Sequence, residues 1–154
     1  MEYEAFRNRL RQKRADASSF AANLEKWKGE FSIESLSLVN TVKGLLDGLV
    51  EESLLEINPL EHLVFLTVGE EKEVFSVAAL NIEYEGRNYY LLPELVGRGV
   101  GGRPELRFYG SKTMDKSGSH GHGLVYQYDQ WSWIAGNSLG QPLNQDSLAR
   151  ALMS

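Results

Sequence analysis

Apolar or large side chains recur at Tyr3, Phe6, Leu10, Ala17, Phe20, Leu24 and Trp27, and Lys13 is the one polar member of the same three-four repeat. That spacing lays them along one stripe of an α-helix, so residues 2–28 are predicted to form a long amphipathic helix. Its heptad regularity suits a groove, a second helix or a self-associating pair. Gly29 is the expected stop. A second helix is predicted over 38–56, where Val42, Leu45, Leu46, Leu49, Val50 and Leu54 share a face and Glu51, Glu52 and Glu56 lie opposite. Gly44 and Gly48 would each cost about 1 kcal/mol relative to alanine there, which a close approach of the first helix would offset. Between the two helices, Phe31 and Ile33 also admit a short strand. Asn58-Pro59 is expected to end the second helix, because the residue before a proline is pushed out of the helical region.

From residue 62 the texture changes. HLVFLTVG (62–69) is a short apolar run, EVFSVAALNIEYEG (73–86) alternates, and NYYLLP (88–93) follows. Glu70-Glu71-Lys72 and Glu85-Gly86-Arg87 read as hairpin turns, and connections this short require an antiparallel meander. Further strands are predicted at 105–110, 123–128 and 131–135. Gln141-Pro142 is expected to open a last helix running to about residue 152, with the proline in its first turn. The result is an α+β fold: two N-terminal helices, an antiparallel sheet of about five or six strands beginning as a meander, and a short C-terminal helix. Residues 1–154 are read as a single domain, with a helical part over about 2–56, a sheet part over about 62–135 and a terminal helix over about 142–152.

Composition narrows the function classes more than it names one. The chain has 154 residues, 42% of them apolar, and no cysteine, which excludes a disulfide framework, a thiolate metal site and a cysteine nucleophile. No run approaches the ~18 apolar residues of a membrane span, and MEYEAFRNRLRQKR lacks the apolar core of a signal peptide, so a cytoplasmic protein without a membrane partner is expected. The formal charge of −5 is unevenly placed. Residues 1–29 carry seven bases and four acids, whereas residues 30–85 carry two and twelve. The basic cluster of note is Arg7, Arg9, Arg11, Lys13 and Arg14, and an acidic protein surface, on this chain or on another copy, is its natural complement.

Three weaker signals carry the candidate chemistry. GRGVGG (97–102) satisfies the glycine spacing of a dinucleotide site, but Arg103-Pro104 leads into a strand-like segment, not into the helix whose amides would face a pyrophosphate. What survives is a glycine-rich loop flanked by Arg98, Arg103 and Arg107, a candidate for binding a phosphate or carboxylate. His120 and His122, two apart in an irregular stretch (111–122), are the candidate metal or acid-base pair, with no further ligand placed by spacing. No cofactor is implied. The strand half is rich in aromatic residues, among them Trp131 and Trp133, a composition that protein-binding surfaces favour. The residues between Tyr126, Tyr128, Trp131 and Trp133 are Gln127, Asp129, Gln130 and Ser132, which disfavours nucleic acid.

No nucleophile motif is present, so a non-catalytic protein-binding accessory protein (adaptor, inhibitor or chaperone type) is the favoured expectation. Its partner, or a second copy of itself, would meet an acidic and aromatic surface and the basic amphipathic helix, with Arg7, Arg11, Arg14, Glu51, Glu52, Trp131 and Trp133 as contact residues. The alternative is an enzyme or small-ligand binder that takes an anionic substrate between loops 97–107 and 111–122.

Overall fold

In the computed structural model, residues 1–68, 71–97, 103–114, 122–136 and 138–154 are described, and side chains are described for all of these except 16–21, 68 and 71. One helix, α1 (Glu2–Leu45), takes up more than a quarter of the chain, and a short helix, α2 (Asp47–Glu51), follows it. Seven strands come next: β1 (Glu56–Val68), β2 (Glu71–Tyr84), β3 (Arg87–Val96), β4 (Glu105–Ser111), β5 (Gly123–Gln127), β6 (Gln130–Ala135) and β7 (Ser138–Pro142). The chain closes with α3 (Gln145–Met153).

The α+β layout and the meander expected from the sequence are present, with seven strands among the described residues in place of five or six. The strands pair antiparallel in chain order, so every neighbour in sequence is a neighbour in the sheet. The Glu85-Gly86 turn has both residues at positive φ (51° and 71°), the type I′ geometry whose twist matches that of its flanking strands. Tyr128-Asp129 makes the same turn between β5 and β6, at φ 54° and 61°. The first hairpin turns earlier than expected: Val68 pairs with Glu71 and Thr67 with Lys72, so Glu71 and Lys72, expected in the turn, stand in β2, and residues 69–70 lie outside the described residues.

The helical half departs from expectation. Gly29 does not stop the first helix, and the residues expected as a break or short strand, Phe31 and Ile33, continue it to Leu45. Burial supplies the reason: Trp27, Phe31, Leu38, Val39, Val42 and Leu46 all enter the core, and helical continuity across Gly29 is what keeps them on one face. Among the described residues, nothing outside the helix's own backbone and the adjoining residues comes within 4 Å of where a Cβ would stand at Gly44 or Gly48, so no close helix approach explains them. The second helix ends at Glu51, not at residue 56, as Ser53 (φ 59°) turns the chain into β1. Pro59 therefore lies inside a strand, which it can do because β1 is an edge strand and needs one partner only. At the other end, Gln141-Pro142 closes β7, and Asn144 caps α3 by accepting the Ser147 N–H at 2.8 Å, with Ser147 Oγ accepting the Asn144 N–H in return.

The core lies between α1, α3 and the sheet. β3 pairs with β2 only from Leu80 to Tyr84, which leaves residues 71–79 of β2 without a strand on that side. α1 occupies the gap: Ala78 donates its N–H to Ser35 Oγ (3.2 Å), and Phe31 stacks on Phe75 at 6.2 Å between ring centroids. Further along, the Trp131 indole donates to Ser37 Oγ (3.4 Å) and packs edge-on against Phe108. α3 is held by the Trp133 indole on Ser147 Oγ (2.8 Å) and by a short hydrogen bond from the Tyr84 hydroxyl to the Leu152 carbonyl.

Because Gly29 is helical, exposed and open on its Cβ side, Gly29→Ala is expected to raise stability by about 1 kcal/mol. Urea denaturation checks this, and a lower midpoint at unchanged slope would contradict a continuous helix through residue 29.

Candidate functional site

The stripe that α1 buries does not end where the protein body ends. Residues 1–15 are exposed throughout, and Tyr3, Phe6 and Leu10 are 72%, 57% and 51% accessible, although they continue the heptad line that Leu24, Trp27 and Phe31 follow into the core. The first part of α1 is therefore an arm: a helix with an amphipathic stripe and no described surface beneath it. Arg7, Arg11 and Arg14 all lie on this arm, where Arg7 makes one loose ion pair with Glu4 at 3.7 Å. Glu51 and Glu52 stand exposed at the end of α2, at the far end of the helical segment.

A second bare apolar surface lies on the β1–β2 hairpin. Val64, Leu66 and Phe75 point toward α1, and the alternate positions point the other way. Phe65 sits directly opposite Val74 and is flanked by Leu63, and these three are 68%, 48% and 54% exposed. Reading the sequence for elements missed this patch, although its signal was there: HLVFLTVG is apolar on both faces, and an edge hairpin in this fold has one helix to cover one face.

The two expected aromatic contacts are largely internal. Trp131 is 4% exposed and belongs to the core, and Trp133 is partly buried between α3 and the His122 ring, 5.8 Å away edge-on. Tyr126 and Tyr128 are the exposed members of that region.

The two described arginines of the candidate anion site each contact carboxylates of this chain. Arg98 lies outside the described residues. Arg103 folds back onto α1: its guanidinium reaches Glu30 at 2.8 Å, makes a shorter contact with Glu34, and lies 4.6 Å from the centre of the Phe31 ring. Burial raises the Glu34 carboxyl above its ordinary range, against the pull of Arg103 in the other direction. Arg107 is held by Glu105 at 2.6 Å, and its pKa is raised chiefly through a hydrogen bond with Tyr109, then through Glu105. Two carboxylates on Arg103 and one on Arg107 leave little positive potential for an outside anion. Arg103 and, on the β2 side, Lys28, which reaches Glu73 at 3.0 Å, act as fasteners between α1 and the sheet. Of the histidine pair, His120 lies outside the described residues, and His122 sits beside Ser154 Oγ (3.4 Å) and Trp133. Among the described residues no group of three or more metal-ligating side chains comes together, and no helix is long and apolar enough to cross a membrane.

One concavity of about 410 Å³ is lined by Tyr84, Arg87, Asn88, Tyr89, Lys112, Leu152 and Ser154. The Tyr89 hydroxyl is buried with no hydrogen-bond partner among the described residues, and it lies so close over Gly110 that a Cβ there would stand 1.9 Å from it. Burial, with a smaller contribution from Tyr84, pushes its pKa up to about 12. The Asn58, Asn81 and Asn88 amides run as a hydrogen-bonded ladder across β1, β2 and β3 (3.1 and 3.2 Å), which satisfies the buried Asn81.

Comparison of the chain with protein-family models, curated proteins and solved structures finds no match.

Two stability experiments follow from these contacts. Arg103→Ala leaves Glu30 and Glu34 adjacent and unpaired, and is expected to cost about 1–3 kcal/mol at neutral pH, at the low end because the groups are partly solvated. The deficit should shrink as pH falls and the Glu34 carboxyl, whose pKa burial raises, takes up its proton, and a deficit independent of pH would mean that packing on Phe31, not charge, is what was lost. For Tyr89, a phenol whose pKa is higher folded than unfolded keeps its proton while the unfolded chain loses its own, so stability is intact below pH 10 and falls between pH 10 and about 12. Tyr89→Phe should flatten that alkaline limb and leave neutral-pH stability equal or up to about 1 kcal/mol higher, as followed by thermal unfolding against pH.

Proposed function

We propose that this is a non-catalytic, cytoplasmic protein-binding protein of the adaptor, inhibitor or chaperone type, and that its docking element is the N-terminal arm of α1. The observation that carries this reading is the exposed Tyr3, Phe6 and Leu10 stripe, in line with a stripe that is buried further along the same helix. An apolar stripe of this kind is stable in water but gains free energy when covered, roughly 25 cal/mol for each Å² removed from solvent. Five bases against two acids in residues 1–15 favour an acidic surface as the cover. Glu51 and Glu52 on α2 add an acidic element at the opposite end of the helical segment.

The reading as a small-anion binder or enzyme rests on arginines that the described contacts already engage, and it is the weaker of the two. A photo-crosslinking amino acid in place of Phe6, activated in the host cell, tests the docking role. The expected product is a covalent protein adduct whose site lies in an acidic, apolar surface and whose yield falls when Arg7, Arg11 and Arg14 are changed to glutamate. Adducts to nucleic acid or lipid alone, or none, would overturn it.

A further inference from the structure

We propose that the arm's partner is a second copy of this chain, and that two copies exchange arms, each laying Tyr3, Phe6 and Leu10 on the bare face of the other's β1–β2 hairpin. The inference rests on the arm being a docking element, and it adds what that element docks on.

The chain carries both halves of an unmade layer contact. A sheet face with apolar side chains is stably covered by a helix with an apolar stripe, and the reverse. Here the hairpin presents Leu63, Phe65 and Val74 without cover, and the arm presents its stripe without a sheet.

The two cannot meet within one molecule. α1 is fixed on the opposite face of the same hairpin by the Phe31–Phe75 stack and the Lys28–Glu73 ion pair. From Leu24 outward the helix has neither glycine nor proline back to Met1, and it runs unbroken from Glu2. Tyr3 therefore lies about 30 Å beyond Leu24 along the helix axis, out of reach of its own hairpin face.

Charge favours the same pairing. The arm, residues 1–15, has five bases and two acids, a net of +3, so the rest of a chain whose total is −5 carries −8. On the bare face itself the exposed Glu61 lies next to Leu63 and the exposed Lys72 next to Val74, so the attraction comes from the chain's remaining net charge and not from an acidic face. Two arms pairing with each other is opposed by the same residues: in a parallel pair Lys13 would face Lys13 across the seam, and Arg9 would face Arg14.

A reciprocal exchange about a two-fold axis forms the contact twice. Each half needs to contribute only about half of the roughly 1,200–2,000 Å² typical of a stable interface.

The test uses the full-length chain and its lack of cysteine. Sedimentation velocity of the unmodified chain should show a dimer that weakens with salt. Phe6→Glu and Phe65→Glu, both at exposed positions, should each weaken dimerisation by about tenfold or more while circular dichroism stays unchanged. An equimolar mixture of Phe6→Cys and Phe65→Cys chains, oxidised gently, should give mainly the mixed disulfide. A monomer at high micromolar concentration would overturn the proposal, and the protein adduct at Phe6 in the host would still stand or fall separately. A dimer that survives Phe65→Glu would mean that the arms pair with each other, and one that survives Phe6→Glu would mean edge pairing of hairpins; either overturns the exchange.

Discussion

α1 is longer than the surface it covers, and most of the architecture follows from that mismatch. Its second half lies beside residues 71–79 of β2 where β3 is absent, so the sheet depends on the helix for a partner to the Ala78 N–H and for its core. Phe31 is the centre of this arrangement: fully buried, stacked on Phe75, and roofed by the Arg103 guanidinium that Glu30 and Glu34 hold in place. Each of these groups depends on the others being present. The arginine is partly desolvated and would be costly there without its carboxylates, and the carboxylates would repel each other without the arginine.

The same fastening gives the arm its direction. A helix rigidly docked over half its length transmits that orientation through continuous hydrogen bonding to the undocked half. The arm's stripe therefore projects in a defined position, and the conformational cost of ordering it on a partner is reduced. A flexible tail with the same residues would lose far more entropy on binding. The exposed hairpin face is held as firmly, because its reverse side is glued to α1 through Val64, Leu66 and Phe75.

Much of the sheet was legible in the chain because its determinants are local. Alternation over 73–86, the positive-φ turn at Glu85-Gly86 and the shortness of the connections together dictate an antiparallel meander. The long N-terminal helix was legible for the same reason, since a three-four repeat is a property of neighbouring residues. Gly29 and Pro59 do not act as punctuation: each has a local preference of about 1–3 kcal/mol, and burial of Trp27 and Phe31 on one side, and edge pairing on the other, outweighs it.

The sequence by itself determined the periodicities, the turns, the absence of cysteine chemistry and the separation of a basic start from an acidic middle. Only the tertiary structure decided which half of the heptad stripe is covered, that Trp131 is internal, and that Arg103 is engaged by residues some seventy positions away on α1. The physical reason is the range of the interactions. Helix and turn propensity act over a few residues and can be read along the chain, whereas burial and ion pairing depend on which distant segments arrive at the same place, and that is settled by packing the whole core at once.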